Sequence, residues 1–298
     1  MVVDAAWDTG LSRADGVEIA RRLAATGQVD FLNVIRGHIE TDAALAEVIP
    51  VLGMRSAPHL DFAGEVRAAT RFPVFHAARI PDVATARHAI ASGLLDMVGM
   101  TRAHLADPHI VRKVAAGEEA RIRPCVGATY CLDRIYEGLD ALCIHNPATG
   151  REATVPHVIA RSTGPRRRVV VGGAGPAGLQ APRGATRRGH EVVLLEAAQE
   201  PGGQIRLAAR SRRRRELLGI VDWRVAECER AGVAFRLGSL AAAADVLALA
   251  PEVVIVATGG LPPPPPMLGG AQLTVSSWDI LAGDVKPAEG GLLYDDND

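Results

Sequence analysis

Apolar and polar positions over residues 1–115 switch between two periods. Val17, Ala20 and Leu23 recur at helical spacing within 14–25, and Ser12 stands where a helix N-cap belongs. Residues 29–35 read as a buried strand, 62–70 return to the helical pattern, and 73–76 make a second short strand. Asp82 is placed to cap a helix over 84–91, Gly93 closes it, and 96–100 make a third strand. Residues 1–10 read as the tail of a strand followed by a loop. Strand and helix in turn is the rhythm of a parallel sheet. Three clear strands fall short of a closed (β/α)8 barrel, which needs eight and about 250 residues.

The rhythm stops at 121–165, where Cys125, Cys131 and Cys143 are followed by Pro147, Pro156 and Pro165. It restarts after the basic run 166–168. Val169, Val170 and Val171 make a buried strand that runs into Gly173, Gly175 and Gly178, a G-x-G-x-x-G turn. In such a turn the first glycine permits the tight bend, the second lets a pyrophosphate approach the backbone, and the third lets helix and strand pack closely. The following helix points its first N–H groups at the phosphates. A second buried strand at 192–195 ends in Glu196, at the distance where an acidic side chain accepts hydrogen bonds from ribose hydroxyls. Pro182 and Gly184 fall inside the first helix of this unit and are expected to weaken or kink it.

Composition bounds the rest. A chain of 298 residues suggests about two domains. A net charge of −1 and an aromatic content of 4% argue against nucleic acid as a partner. No apolar run reaches the length of a membrane span and no basic-then-apolar leader opens the sequence, so a cytoplasmic protein without a membrane partner is expected. Three of the four cysteines cluster, which points to metal ligation more than to disulfides. Cys228 stands apart on a predicted helix, and the nine scattered histidines offer no zinc motif. The arginines at 212–215 read as a solvated loop or helix start, and the prolines at 262–266 as a short connector.

Three elements together, the glycine turn with Glu196, Pro201-Gly202-Gly203-Gln204, and the buried strand from Val253 that ends in Ala257-Thr258-Gly259, resemble the FAD domain of glutathione-reductase-like flavoproteins. The resemblance implies that Gly173, Gly175, Gly178, Glu196, Gly203, Gln204, Thr258 and Gly259 hold FAD or ADP. The segment Arg123-Pro-Cys-Val-Gly-Ala-Thr-Tyr-Cys131, with Cys143-Ile-His-Asn-Pro147, resembles the iron–sulfur segment of the trimethylamine dehydrogenase / 2,4-dienoyl-CoA reductase family of NADH:flavin oxidoreductases, and within it the N-methylproline demethylase-like branch. That family joins an FMN-bearing barrel, a [4Fe–4S] segment and a nucleotide domain in this order.

The resemblance implies an α/β chain with a partial (β/α) barrel, its last three strands at 1–120. A cysteine segment at 121–165 and a Rossmann-like FAD/NAD(P)-binding domain at 166–298 would follow. It implies Cys125, Cys131 and Cys143 as cluster ligands with Ala128 in place of the fourth. Ala78, Arg79, Thr101 and Arg102 would lie at the FMN phosphate, with Asp107-Pro108 beyond the last barrel strand. Three thiolates leave open a cluster with one free iron, a three-iron cluster or no stable cluster. Barrel strands one to five and a second nucleotide domain, whose first strand would be 291–296, lie outside the pattern covered, so little turnover is expected of this chain alone. The implied chemistry is hydride transfer between FMN and a small molecule, an N-methyl amine or amino acid, or an enoyl compound. The alternatives are a non-catalytic ADP- or FAD-binding module and an inactive truncated gene product. A second chain completing the barrel and a homo-oligomer both remain open as partners. No residue is assigned a catalytic role.

Overall fold

In the computed structural model, residues 2–262, 269–287 and 289–293 are described, and they divide into two compact units, 1–159 and 160–298. Positions 263–266 of the proline tract and 294–296 of the strand expected at 291–296 lie outside the described residues. No helix among the described residues is long and apolar enough to cross a membrane.

The first unit carries β1 (Val2–Asp4), α1 (Arg13–Ala25), β2 (Leu32–Arg36), α2 (Asp42–Val48), α3 (Leu60–Thr70), β3 (Val74–His76), α4 (Val83–Ala91), β4 (Met97–Val98), α5 (Thr101–Ala106), α6 (Ile110–Ala115) and α7 (Tyr130–Tyr136). Its four strands are all parallel, in the order β1-β2-β3-β4. The fourth strand is β1, at the strand tail read near the N-terminus. Ser12 caps α1 through a reciprocal box with Asp15, and Asp82 caps α4 by accepting from the Thr85 N–H. Leu32, Val34 and Val74 from the sheet, Val17 and Ala20 from α1, and Phe62, Ala63 and Val66 from α3 build one core. The run at 29–35 is not buried throughout. Phe31 is 48% exposed and stacks on Phe75 at 4.3 Å, because alternate strand residues face opposite sides of the sheet and only one side is covered by the core.

The second unit carries β5 (Arg168–Gly172), α8 (Pro176–Arg187), β6 (Glu191–Leu195), α9 (Gln204–Ala208), α10 (Leu218–Arg230), β7 (Ala234–Arg236), α11 (Ala243–Leu247), β8 (Val253–Val256) and α12 (Ser277–Ala282). Its sheet is parallel in the order β7-β6-β5-β8, with β5 central and its valines 169, 170 and 171 buried. One expectation is corrected here and a second is narrowed to a weakening without a break. First, β8 is an edge strand whose Val254 and Val256 are exposed, so the apolar run there is buried on one face only. Second, α8 runs unbroken through Pro182 and Gly184. Its buried Leu179, Pro182 and Arg183 pack under α10, where the Arg183 guanidinium lies 4.8 Å from the Trp223 ring centre, and this burial outweighs the local cost. The arginines 212–215 sit exposed on a short 3-10 turn that leads into α10.

Candidate functional site

The glycine turn links β5 to α8, and its three glycines meet different surroundings. A Cβ on Gly173, at φ 95°, would stand 2.4 Å from the Ala257 carbonyl oxygen, and one on Gly178 would stand 1.8 Å from that of Gly173. Those two positions therefore exclude any side chain. Gly175 has an ordinary φ of −69°, and a Cβ there would meet no protein atom within 4 Å. Protein packing does not account for that glycine. It leaves open space in front of the first turn of α8.

Glu196, at the end of β6, reaches into this turn. Its carboxylate accepts from the Ala174 N–H at 2.6 Å and from the Ala198 N–H at 2.9 Å. The Pro201–Gln204 loop closes on the other side. The Gly202 N–H donates to the Ala174 carbonyl, and a Cβ on Gly203 would lie 3.3 Å from the Gly175 Cα. Gln204 Nε2 donates to the Gly260 carbonyl at 2.9 Å, which ties this loop to the segment carrying Thr258 and Gly259. All eight residues named for the nucleotide thus gather around one turn. Ala174, Ala257 and Gly260 lie within or next to the motifs read in the sequence but are not among the residues named there for the site, because they act here mainly through backbone groups.

In the first unit, Cys125, Cys131 and Cys143 line one pocket with Ala128, Arg102 and His145. The segment is held by long-range bonds: the Leu52 N–H to the Gly127 carbonyl, His145 Nδ1 to the Pro124 carbonyl, and Asn146 Nδ2 and Thr149 Oγ1 to the Leu105 carbonyl. Asp107 anchors its start. It accepts from Lys113 Nζ at 2.5 Å and from the Arg123 N–H at 2.8 Å. Burial pushes the Asp107 carboxyl up, but these bonds and the Lys113 charge outweigh it and hold it below the usual range. Burial raises the thiols of Cys125 and Cys131, with the Arg102 charge acting against it. The three thiols are spread around the pocket. Among the described residues no group of three or more His, Cys, Asp or Glu is placed to hold a single metal ion. A cluster makes a different demand, because each thiolate binds its own iron. Three thiols beside a buried guanidinium nitrogen with no hydrogen-bond partner give this pocket thiol donors and a cation, the chemistry that an anionic thiolate-held group would require.

The residues named for a flavin phosphate lie close to that loop. Ala78 and Arg79 are buried after β3, with Arg79 at φ 47°, and Thr101 and Arg102 open α5. The Arg79 guanidinium packs against Gly127, and Arg102 Nη2 donates to the Pro50 carbonyl at 2.9 Å. Cys228 is unrelated to this pocket. It is buried between α10 and α8, donates to the Leu179 carbonyl, and burial pushes its thiol up to about 11.

A family profile described as an NAD(P)-binding Rossmann-like domain matches residues 170–222, which contain the glycine turn and Glu196. The chain is 60% identical over 287 residues to a probable N-methylproline demethylase of Rhizobium meliloti (strain 1021), covering 96% of this chain and 42% of that protein. It is 46% identical over 294 residues to an N,N-dimethylglycine/sarcosine dehydrogenase of Chromohalobacter salexigens, covering 96% and 42%. Among solved structures, a 2-naphthoyl-CoA reductase complex superposes with a TM-score of 0.88 at 27% identity, over 97% of this chain and 44% of that one. The chain belongs to the trimethylamine dehydrogenase / 2,4-dienoyl-CoA reductase family. It spans less than half the length of these family members. The match runs through the cysteine pocket and the glycine turn alike, so both lie in sequence shared with this family.

Proposed function

We propose that this chain is the cofactor-holding part of a flavin-dependent oxidoreductase acting on N-methylated amines or amino acids. The substrate class rests on similarity to proteins named for N-methylproline and for dimethylglycine and sarcosine. In this reading the first unit is the last part of an FMN barrel, with Ala78, Arg79, Thr101 and Arg102 at the flavin phosphate. Cys125, Cys131 and Cys143 hold an iron–sulfur cluster. The second unit binds the ADP half of FAD, or ADP itself.

The observation that carries the nucleotide part is Gly175, a glycine that neither backbone strain nor protein packing requires. The space it leaves suits a pyrophosphate against the backbone N–H groups of α8. Glu196, already steered by the Ala174 and Ala198 N–H groups, presents its remaining acceptor capacity to the ribose hydroxyls. Gln204 holds the Thr258–Gly260 backbone over the same turn. A bound flavin supplies the hydride chemistry, and the residues here bind and orient it.

The test is to heat-release and identify the nucleotide of the purified chain, and to titrate ADP by calorimetry into wild type, Gly175→Ala and Glu196→Ala. Wild type should bind an ADP-containing nucleotide. Absorbance near about 450 nm distinguishes FAD from bare ADP. Gly175→Ala should fold and lose binding, and Glu196→Ala should weaken it at least about 100-fold, as loss of two hydrogen bonds to a charged group at about 1.5–3 kcal/mol each predicts. A folded wild-type chain that binds no such nucleotide overturns the proposal.

A further inference from the structure

Arg102 is half-buried, and its neighbours only partly engage its charge. Its Nη2 donates to the Pro50 carbonyl, while Nη1 is buried with no hydrogen-bond partner among the described residues. The side chain lines the same pocket as Cys125, Cys131 and Cys143, and no carboxylate lines that pocket with it. The nearby cation, Arg79, packs against Gly127 and has partners of its own. A guanidinium nitrogen held out of water without an acceptor is costly, so an anionic acceptor is the group that would offset the cost.

We propose that Arg102 is the counter-charge of the thiol pocket, a positioning residue whose guanidinium donates to the anionic group held by the three cysteines. This rests on the cluster reading given above and adds to the phosphate role assigned to Arg102 there. A thiolate-bound iron–sulfur cluster gains one negative charge on reduction. A fixed cation beside it favours the reduced form and raises its potential, hydrogen bonding and local charge being among the factors that set cluster potentials. Arg102 therefore makes the cluster easier to reduce, and the charge, more than the guanidinium shape, carries the effect.

The test uses wild type, Arg102→Lys and Arg102→Gln, each reconstituted anaerobically with ferrous iron and sulfide and without added flavin. Bound iron and sulfide are counted, and the midpoint potential is read by paramagnetic resonance during titration with dithionite. The expected result is a lower potential in Arg102→Gln and a value near wild type in Arg102→Lys. Loss of iron from Arg102→Gln alone also supports the counter-charge. Equal potentials in all three, a higher one in Arg102→Gln, or equal loss of iron from both variants overturns the inference and leaves the cluster reading standing. A wild-type chain that takes up no iron and sulfide overturns the cluster reading, and this inference with it.

Discussion

At Gly178 the backbone of α8 lies so close to the turn that a Cβ would stand 1.8 Å from the Gly173 carbonyl oxygen. Neither atom is the end of a flexible side chain, so the strain has no local outlet. Gly178→Ala should therefore cost about 3 kcal/mol or more, as severe overpacking against rigid backbone does. Denaturant unfolding of the variant measures it, and an unchanged midpoint would show that the helix can shift away. The contrast is with Gly175→Ala, where the loss should appear in nucleotide binding alone. The spacing of the three glycines is legible in sequence. That Gly173 also excludes a side chain while Gly175 leaves room for a ligand depends on Ala257, about 80 residues further along the chain.

Elements show where local preference yields. Pro182 lacks the N–H that would reach the Gly178 carbonyl, yet α8 continues to Arg187 because its buried face packs under α10. Pro182→Ala should restore that bond and lose only the packing of the pyrrolidine ring. A proline penalty of about 3 kcal/mol set against roughly 0.8 kcal/mol for each of two buried methylenes leaves a stabilisation of about 1 kcal/mol. Thermal unfolding tests it, and a lower melting temperature would mean that the ring's packing outweighs the hydrogen bond. The half-exposed strands β2 and β8 carry the matching lesson. An apolar run predicts a strand correctly, but whether one face or both are covered depends on which neighbours the sheet acquires.

For the whole molecule, buried groups sensitive to acid are concentrated in the first unit. His76, at the end of β3, bonds the Val34 carbonyl through Nδ1 and faces His59, and burial holds it below its ordinary value of 6.5. A histidine kept neutral by folding contributes stability that is complete above its unfolded pKa. That contribution is lost as the pH falls from about 6.5 towards the depressed folded value. Asp107, held below its ordinary 3.8, adds a second loss as the pH falls through its own folded value. Acidification from pH 7.5 to about 5 should loosen the first unit before the second, with His76 acting together with His109, which burial also holds below 6.5. Hydrogen exchange corrected for intrinsic rates would show it, and equal loss in both units would refute the assignment.

The sequence by itself determined the helices that Ser12 and Asp82 cap, the parallel strand–helix rhythm, the dinucleotide turn and the family. The caps, the rhythm and the turn follow from periodicity or backbone constraint within a short stretch of chain, and the family from the resemblance of the cysteine segment and the nucleotide motifs. Only the tertiary structure decided that Arg102 lines the cysteine pocket while bonded to Pro50, 52 residues earlier. It also placed Gly127 against Arg79 and Leu52. Those meetings depend on how several loops converge at one end of a sheet, and no spacing along the chain records that convergence.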